Sequence, residues 1–308
     1  SFENAECQNE IYEQVLTDFS WHAIKGSSYA RQGIMSYSAG RGNTFNHNTI
    51  HGWFDGLNVE AWKQGDNFAL NRDVDAFYNK VYNIGDDAFE MDGGGVNMRV
   101  HGNVIRNAHT ALSFAPVERG PVYCTRNEGT YHTLFFKLSV STPSPGHAYF
   151  YHNAGYTMNN SNEATMIRLN VYNVEDQNKV FKNNAMIGSE WSLQRGRPNN
   201  VFDGNCYYNT PNTGFRKFEW NQKVYTSFEA FQTESGQEAN GMYTDPQFTY
   251  TPDLGAYEHG SYPLAEDTSV GDLHPKPTSP LIDKGVVIRG VNEDFQGEGP
   301  DIGMYEVK

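Results

Sequence analysis

Four carboxylates fall within seven residues in the stretch Gly85-Asp86-Asp87-Ala88-Phe89-Glu90-Met91-Asp92-Gly93-Gly94-Gly95. Like charges this close repel, so a fold that gathers them gains something in return: a bound cation, a cationic partner or a shared proton. A solvated acidic turn is the plain alternative. Phe89 and Met91 alternate with Glu90 and Asp92, the period-two pattern of a short strand with one apolar and one acidic face. Paired carboxylates suit general acid–base chemistry, in which one protonates a leaving oxygen and the other activates water. They also suit calcium.

The neighbouring sequence repeats this layout. Phe45 to Ile50, Ala76 to Val81 and Val100 to Ile105 each read apolar, two residues, Asn, one residue, apolar. Looser copies carry the pattern on, placing Asn at 48, 79, 103, 127, 153, 184 and 205, with intervals of 31, 24, 24, 26, 31 and 21. A period in the low twenties with insertions is that of a solenoid. It predicts coils of three short strands stacked about 4.8 Å apart. An Asn at one bend satisfies backbone groups, stacks on the next Asn and tolerates left-handed backbone angles.

Composition agrees. The 308 residues are 38% hydrophobic and 19% charged, with 19 Tyr and 19 Phe. That poverty in helix formers and wealth in turn formers predicts an all-β protein. The net charge of -14 argues against a nucleic-acid partner, and no stretch has the apolar length of a membrane span. Three widely spaced cysteines make neither a disulfide framework nor a zinc site. The polar start Ser1-Phe2-Glu3-Asn4 is expected of a mature or trimmed chain.

Counting forward from each Asn aligns the strands Leu57-Asn58-Val59, Phe89-Glu90-Met91, Leu112-Ser113-Phe114, Phe136-Lys137-Leu138 and, after a longer turn, Ile167-Arg168-Leu169. Their apolar pairs face inward. The middle residues Asn58, Glu90, Ser113, Lys137 and Arg168 form one outward stripe, with Asp55, Asp87 and Thr110 before it and Glu60, Asp92 and Ala115 after it. The expected result is an exposed groove, acidic in the early coils and basic in the later ones, with Trp53, Trp62, Tyr131 and Trp191 alongside. Such a groove suits a sugar chain.

The Asn repeat, over roughly residues 16 to 210, resembles the right-handed parallel β-helix proteins, the superfamily of pectate lyases, polygalacturonases and many secreted bacterial polysaccharide enzymes. Phe54-Asp55-Gly56 followed one coil later by Gly85-Asp86-Asp87 looks like the polygalacturonase arrangement. His109 and Lys137 stand where that family keeps a His and a basic pair. Ser279 to Gly285, Asp294 to Gly297 and Pro300 to Glu306 look like the closing segment of secreted bacterial β-helix proteins, and Pro252 to Glu258 echoes it. The resemblance implies a right-handed parallel β-helix of about seven to eight coils over residues 1–207. Residues 208–308 would form a loop-rich C-terminal cap. It also implies a secreted, cell-surface or periplasmic bacterial protein.

Three functions fit. The first is a glycoside hydrolase needing no cofactor, with Asp55, Asp86, Asp87, Glu90 and Lys137 catalytic and Asn58, His109, Arg168, Trp53 and Trp191 on the substrate. Inversion is implied by resemblance alone. The second is a polysaccharide lyase acting on a uronate, with calcium on Glu60, Glu90 and Asp92 and with Lys137 or Arg168 as base. The third is a non-catalytic carbohydrate-binding spike or adhesin domain. In each the partner is a polysaccharide or oligosaccharide.

Overall fold

A computed structural model describes residues 1–8, 31–61, 63–64, 67–68, 71–138, 142–157, 164–169, 177–188, 190–209, 217–250 and 272–307. Trp62 and the Pro252–Glu258 echo lie outside the described residues. As the composition predicts, the regular structure of the described residues is almost entirely strand, with one helix among them at Phe228–Ser235.

Two long sheets dominate. In the first, Thr44–Asn46, Asn71–Phe77, Val96–His101, Val122–Thr125, Ala148–Tyr151, Lys179–Lys182 and Val201–Asp203 pair in parallel, in sequence order. In the second, Thr49–Trp53, Lys80–Glu90, Val104–Ser113, Glu128–Lys137, Ala154–Thr157, Ala185–Ile187 and Cys206–Tyr208 do the same. The chain therefore visits the sheets alternately, adding one strand to each on every pass.

The longest strands of the second sheet shift register partway, between Ile84 and Asp87 in Lys80–Glu90. Their C-terminal halves join another run of strands: Gln32–Met35 and Asp55–Asn58 on one side, Thr165–Arg168, Trp191–Gly196 and Lys217–Trp220 on the other. Gln32–Met35 is thus the earliest strand of this run among the described residues. In the middle of the run Leu57, Phe89, Leu112, Phe136, Ile167, Leu193 and Phe218 occupy one row, all fully buried. Across the core, Phe150, Phe181 and Phe202 stack at 4.4 and 4.7 Å. Each such buried side chain contributes about 1.5–3 kcal/mol.

The seven predicted asparagines form a continuous chain of side-chain hydrogen bonds. Nδ2 of Asn48, Asn79, Asn103, Asn127, Asn153 and Asn184 donates to Oδ1 of the next at 2.8–3.0 Å. Each Oδ1 from Asn79 to Asn205 also accepts the backbone N–H of the preceding asparagine. The residue before each asparagine, from His47 through Tyr78, Gly102, Arg126, His152 and Asn183 to Gly204, has φ between 53° and 69°. One left-handed turn is therefore repeated on every pass, and the ladder satisfies its buried backbone groups.

The sequence pattern ends at Asn205, but the ladder does not. Asn205 N and Nδ2 donate to Glu238 Oε2 and Oε1 at 3.1 and 2.7 Å, and Tyr207 Oη donates to Oε1 at 2.8 Å. Glu238 is fully buried, and burial pushes its carboxyl up to about 8. Beyond it, Leu281 and Ile302 pack with Ala154, Ala185, Ile187 and Cys206. His152 Nδ1 donates to Gly303 O (3.2 Å) while its Nε2 accepts from Asn292 and Asn183. The three cysteines are free, although their number alone would allow one bridge.

Candidate active site

Parallel register sets the site. Glu90 pairs with Asn58 on one side and Ser113 on the other, and the row continues through Lys137 and Arg168 to Gln194. The predicted stripe is thus one continuous row. Beside it Asp87 pairs with Thr110, and that row runs through Leu134 and Thr165 to Trp191 and Lys217. Asp55 lies next to Asp87, whose backbone N–H donates to Asp55 Oδ1 at 3.3 Å. Gly56 allows this approach: a Cβ there would sit 2.5 Å from Ala88 O.

Three carboxylates converge. Asp55, Asp87 and Glu90 each place an oxygen within 4.8 Å of the other two. Lys137 Nζ donates to Asp87 Oδ2, an ion pair across fifty residues of sequence. Asn58 Nδ2 donates to Glu90 Oε2 (2.6 Å) and Glu60 Oε1 (3.2 Å), and Gln32 Nε2 to Asp55 Oδ2 (3.4 Å). His109 Nδ1 lies 3.6 Å from Asp86 Oδ1 and 3.2 Å from Thr110 Oγ1.

The groove is not the open face the sequence suggests. Asp55, Asp87 and Asp92 are buried, as are Asn58 and Ser113; Asp86, Glu90, Lys137, Arg168 and Trp191 keep partial exposure. Burial changes the electrostatics. Desolvation, with Asp87 and Asp86 nearby, pushes Asp55 up to about 8. Desolvation and the charges of Asp87 and Asp55 push Glu90 up to about 11. Asp92 is pushed up to about 7 by burial, with Lys137 opposing. Burial disfavours the Lys137 ammonium, but Asp87, Asp86 and Asp92 outweigh it and hold the group above its ordinary range. In the absence of a bound cation the cluster therefore retains protons at neutral pH.

The remaining expected residues divide. Of the calcium set Glu60, Glu90 and Asp92, only Glu90 belongs to the converging trio; Asp92 Oδ1 instead accepts Ala115 N (2.6 Å) and Ser113 Oγ (3.1 Å). A divalent ion would find its closest oxygens on Asp55, Asp87 and Glu90. Arg168 lies in the row, its Nε donating to Gln194 Oε1 at 2.7 Å. Trp191 lies along the Asp87 row under the Lys217 ammonium, 5.1 Å from the ring centre. Trp53 is placed differently: it pairs with Ile84, packs on the core and donates from Nε1 to Cys7 O at 3.0 Å. Gln32, Thr165 and Gln194 were not expected at the site. Ile34, two residues after Gln32 and in register with Leu57, was the signal for the earlier strand.

No protein-family model matches the chain, and no curated protein matches it.

Proposed function

We propose that the chain is a right-handed parallel β-helix of seven to eight coils over residues 1–207, closed by the segment 208–308. In this reading it is a glycoside hydrolase acting on a polysaccharide or oligosaccharide. The observation that carries the activity is the pairing of a proton-bearing acid with a cation-bound carboxylate: Asp55 is pushed up to about 8 beside an Asp87 bound by Lys137. A carboxyl group that keeps its proton at neutral pH is what a general acid requires. Asp55 protonates the glycosidic oxygen, and Asp87, as the carboxylate, supports the attack on the anomeric carbon. The attacking water enters from the side of Asp86, which keeps partial exposure, and gives its proton to the Asp87 carboxylate as the glycosidic bond breaks. Arg168 and Trp191, farther along the two rows, hold the bound chain.

The lyase reading has weaker support, because a lysine base must be neutral to take a proton and three carboxylates favour the Lys137 ammonium. The hydrolase reading needs no cofactor, and it agrees with a secreted, cell-surface or periplasmic bacterial setting. The test is incubation with a panel of polysaccharides. New reducing ends without unsaturated-uronate absorbance support hydrolysis. A rise in that absorbance means elimination, and neither signal on any substrate leaves a carbohydrate-binding module.

A further inference from the structure

The left-handed turn before each ladder asparagine presents a side chain on every pass except those with Gly102 and Gly204, and the row divides in two. In the late passes the chain's own C-terminal segment covers it. Arg126 Nη1 donates to Met304 O (3.3 Å), His152 meets Gly303 O, and Asn183 exchanges hydrogen bonds with Val286 N and O, both at 2.8 Å. In the early passes the row carries His47 and Tyr78, both exposed, Tyr78 to 57%.

Tyr78 is held in place. His47, Phe77 and His101 surround its ring at centroid distances of 5.4, 5.3 and 5.8 Å. It lies against Gly102, where a Cβ would strike the ring at 2.4 Å. Single exposed rings are ordinary on protein surfaces, but this one borders a cavity of about 310 Å³ lined also by Asn79, Lys80, Gly102, Val104 and Arg106. The cavity stands at the N-terminal end of the strand whose other end carries Asp87 and Glu90.

The backbone decides what can bind there. Tyr78, Lys80, Gly102 and Val104 N–H donate to neighbouring carbonyls, while Asn79 and Asn103 N–H donate into the ladder. These donors are already engaged, so an added peptide strand would find no free N–H row. A ligand must be read by side chains: an aromatic face fixed beside the Lys80 ammonium, since Arg106, also in the lining, is buried and paired with Glu128. That combination suits a sugar ring, whose apolar face stacks on the aromatic while its polar edge meets the ammonium.

We infer that Tyr78 and Lys80 form a second saccharide-binding site, separate from the carboxylate trio, which anchors a sugar residue without cleaving it. Its ligand class rests on the saccharide reading above; its location does not. The test is affinity electrophoresis in gels containing polygalacturonate, glucuronoxylan, alginate or laminarin. It uses the wild type, D87N to suppress cleavage, and Y78A and Y78W, each also combined with D87N. D87N should be retarded in at least one gel. Y78A should weaken that retardation roughly three- to tenfold, and Y78W should restore it. Equal retardation of Y78A and wild type, no retardation in any gel, or Tyr78-dependent capture of extended peptides instead would overturn the inference. Tyr78-dependent retardation without cleavage would keep this site and remove the hydrolase reading. Cleavage without Tyr78-dependent retardation would do the reverse.

Discussion

The ammonium of Lys137 rests on the carboxylate of Asp87, and parallel pairing alone brings the two together across fifty residues. Asp87 is 1% exposed at its side chain and Lys137 20%. Breaking such a pair leaves an uncompensated buried charge, at a cost of about 3–5 kcal/mol. K137M should therefore lower the thermal midpoint clearly. The double variant D87N/K137M, which leaves no charge behind, should recover a large part of the loss. Equal midpoints for K137M and wild type would mean that solvent reaches Asp87 freely.

D87N should abolish polysaccharide cleavage while leaving the far-ultraviolet circular dichroism unchanged, because the substitution keeps the shape and removes the charge. The expected loss is on the order of 100-fold or more, the scale of general acid–base catalysis. D55N should be equally inactive, since it removes the transferable proton. Normal turnover by D87N would remove Asp87 from the mechanism, and with it the assignment built on this pair.

Acidity makes a sharper test. Asp55 ionises near 3.8 in the unfolded chain but at about 8 in the fold. Between those values the folded state holds a proton that the unfolded state has released, so the Asp55 contribution to stability falls as pH rises through the window, and Glu90, pushed up to about 11, carries the decline beyond it. Asp92, pushed to about 7, adds to the same slope over most of that range. Thermal midpoints measured from pH 4 to pH 8 should decline, and D55N should decline less steeply. Activity should fall on the alkaline side near pH 8 as Asp55 loses its proton. A midpoint rising with pH across this window would contradict the buried acid.

Much of this could be read from the sequence because a parallel stack repeats one local rule. The eleven residues from Asn79 to Glu90 set where Glu90 falls, and the ten from Asn103 and from Asn127 set Ser113 and Lys137 beside it, the difference of one being taken up at the register shift between Ile84 and Asp87. Burial could not be read this way. Whether Asp55 and Asp87 face water depends on side chains that reach onto them from other strands, Gln32 onto Asp55 and Lys137 onto Asp87, and the repeat fixes no such reach. Trp53 was misjudged for a related reason: it lies before the register shift at Ile84–Asp87, so its ring turns to Cys7 and the core rather than to the carboxylates. Glu238 lay outside the pattern because a hairpin and a helix stand between it and Asn205. The latch of His152 on Gly303 joins residues 151 positions apart with no shared motif.

The asparagine ladder yields a position-dependent prediction. Asn127 Nδ2 donates to Val100 O and Asn153 Oδ1, and its Oδ1 accepts Asn103 N and Nδ2. N127L would leave these buried groups without partners, at about 1–3 kcal/mol for each group that stays unsatisfied. It should be among the most damaging single substitutions in the chain. At the end of the ladder Glu238 accepts from Asn205 and Tyr207 rather than bridging to a further asparagine. E238Q keeps an acceptor for Asn205 Nδ2 and removes a carboxyl that burial pushes up to about 8. By the linkage that governs Asp55, Glu238 opposes stability increasingly from about pH 4.5 to about pH 8. E238Q should therefore be close to wild type at pH 5 and more stable than wild type at pH 8, by denaturant titration at both values. Destabilisation of E238Q at pH 8 as large as that of N127L would mean that the carboxylate itself, and not an acceptor of its shape, terminates the ladder.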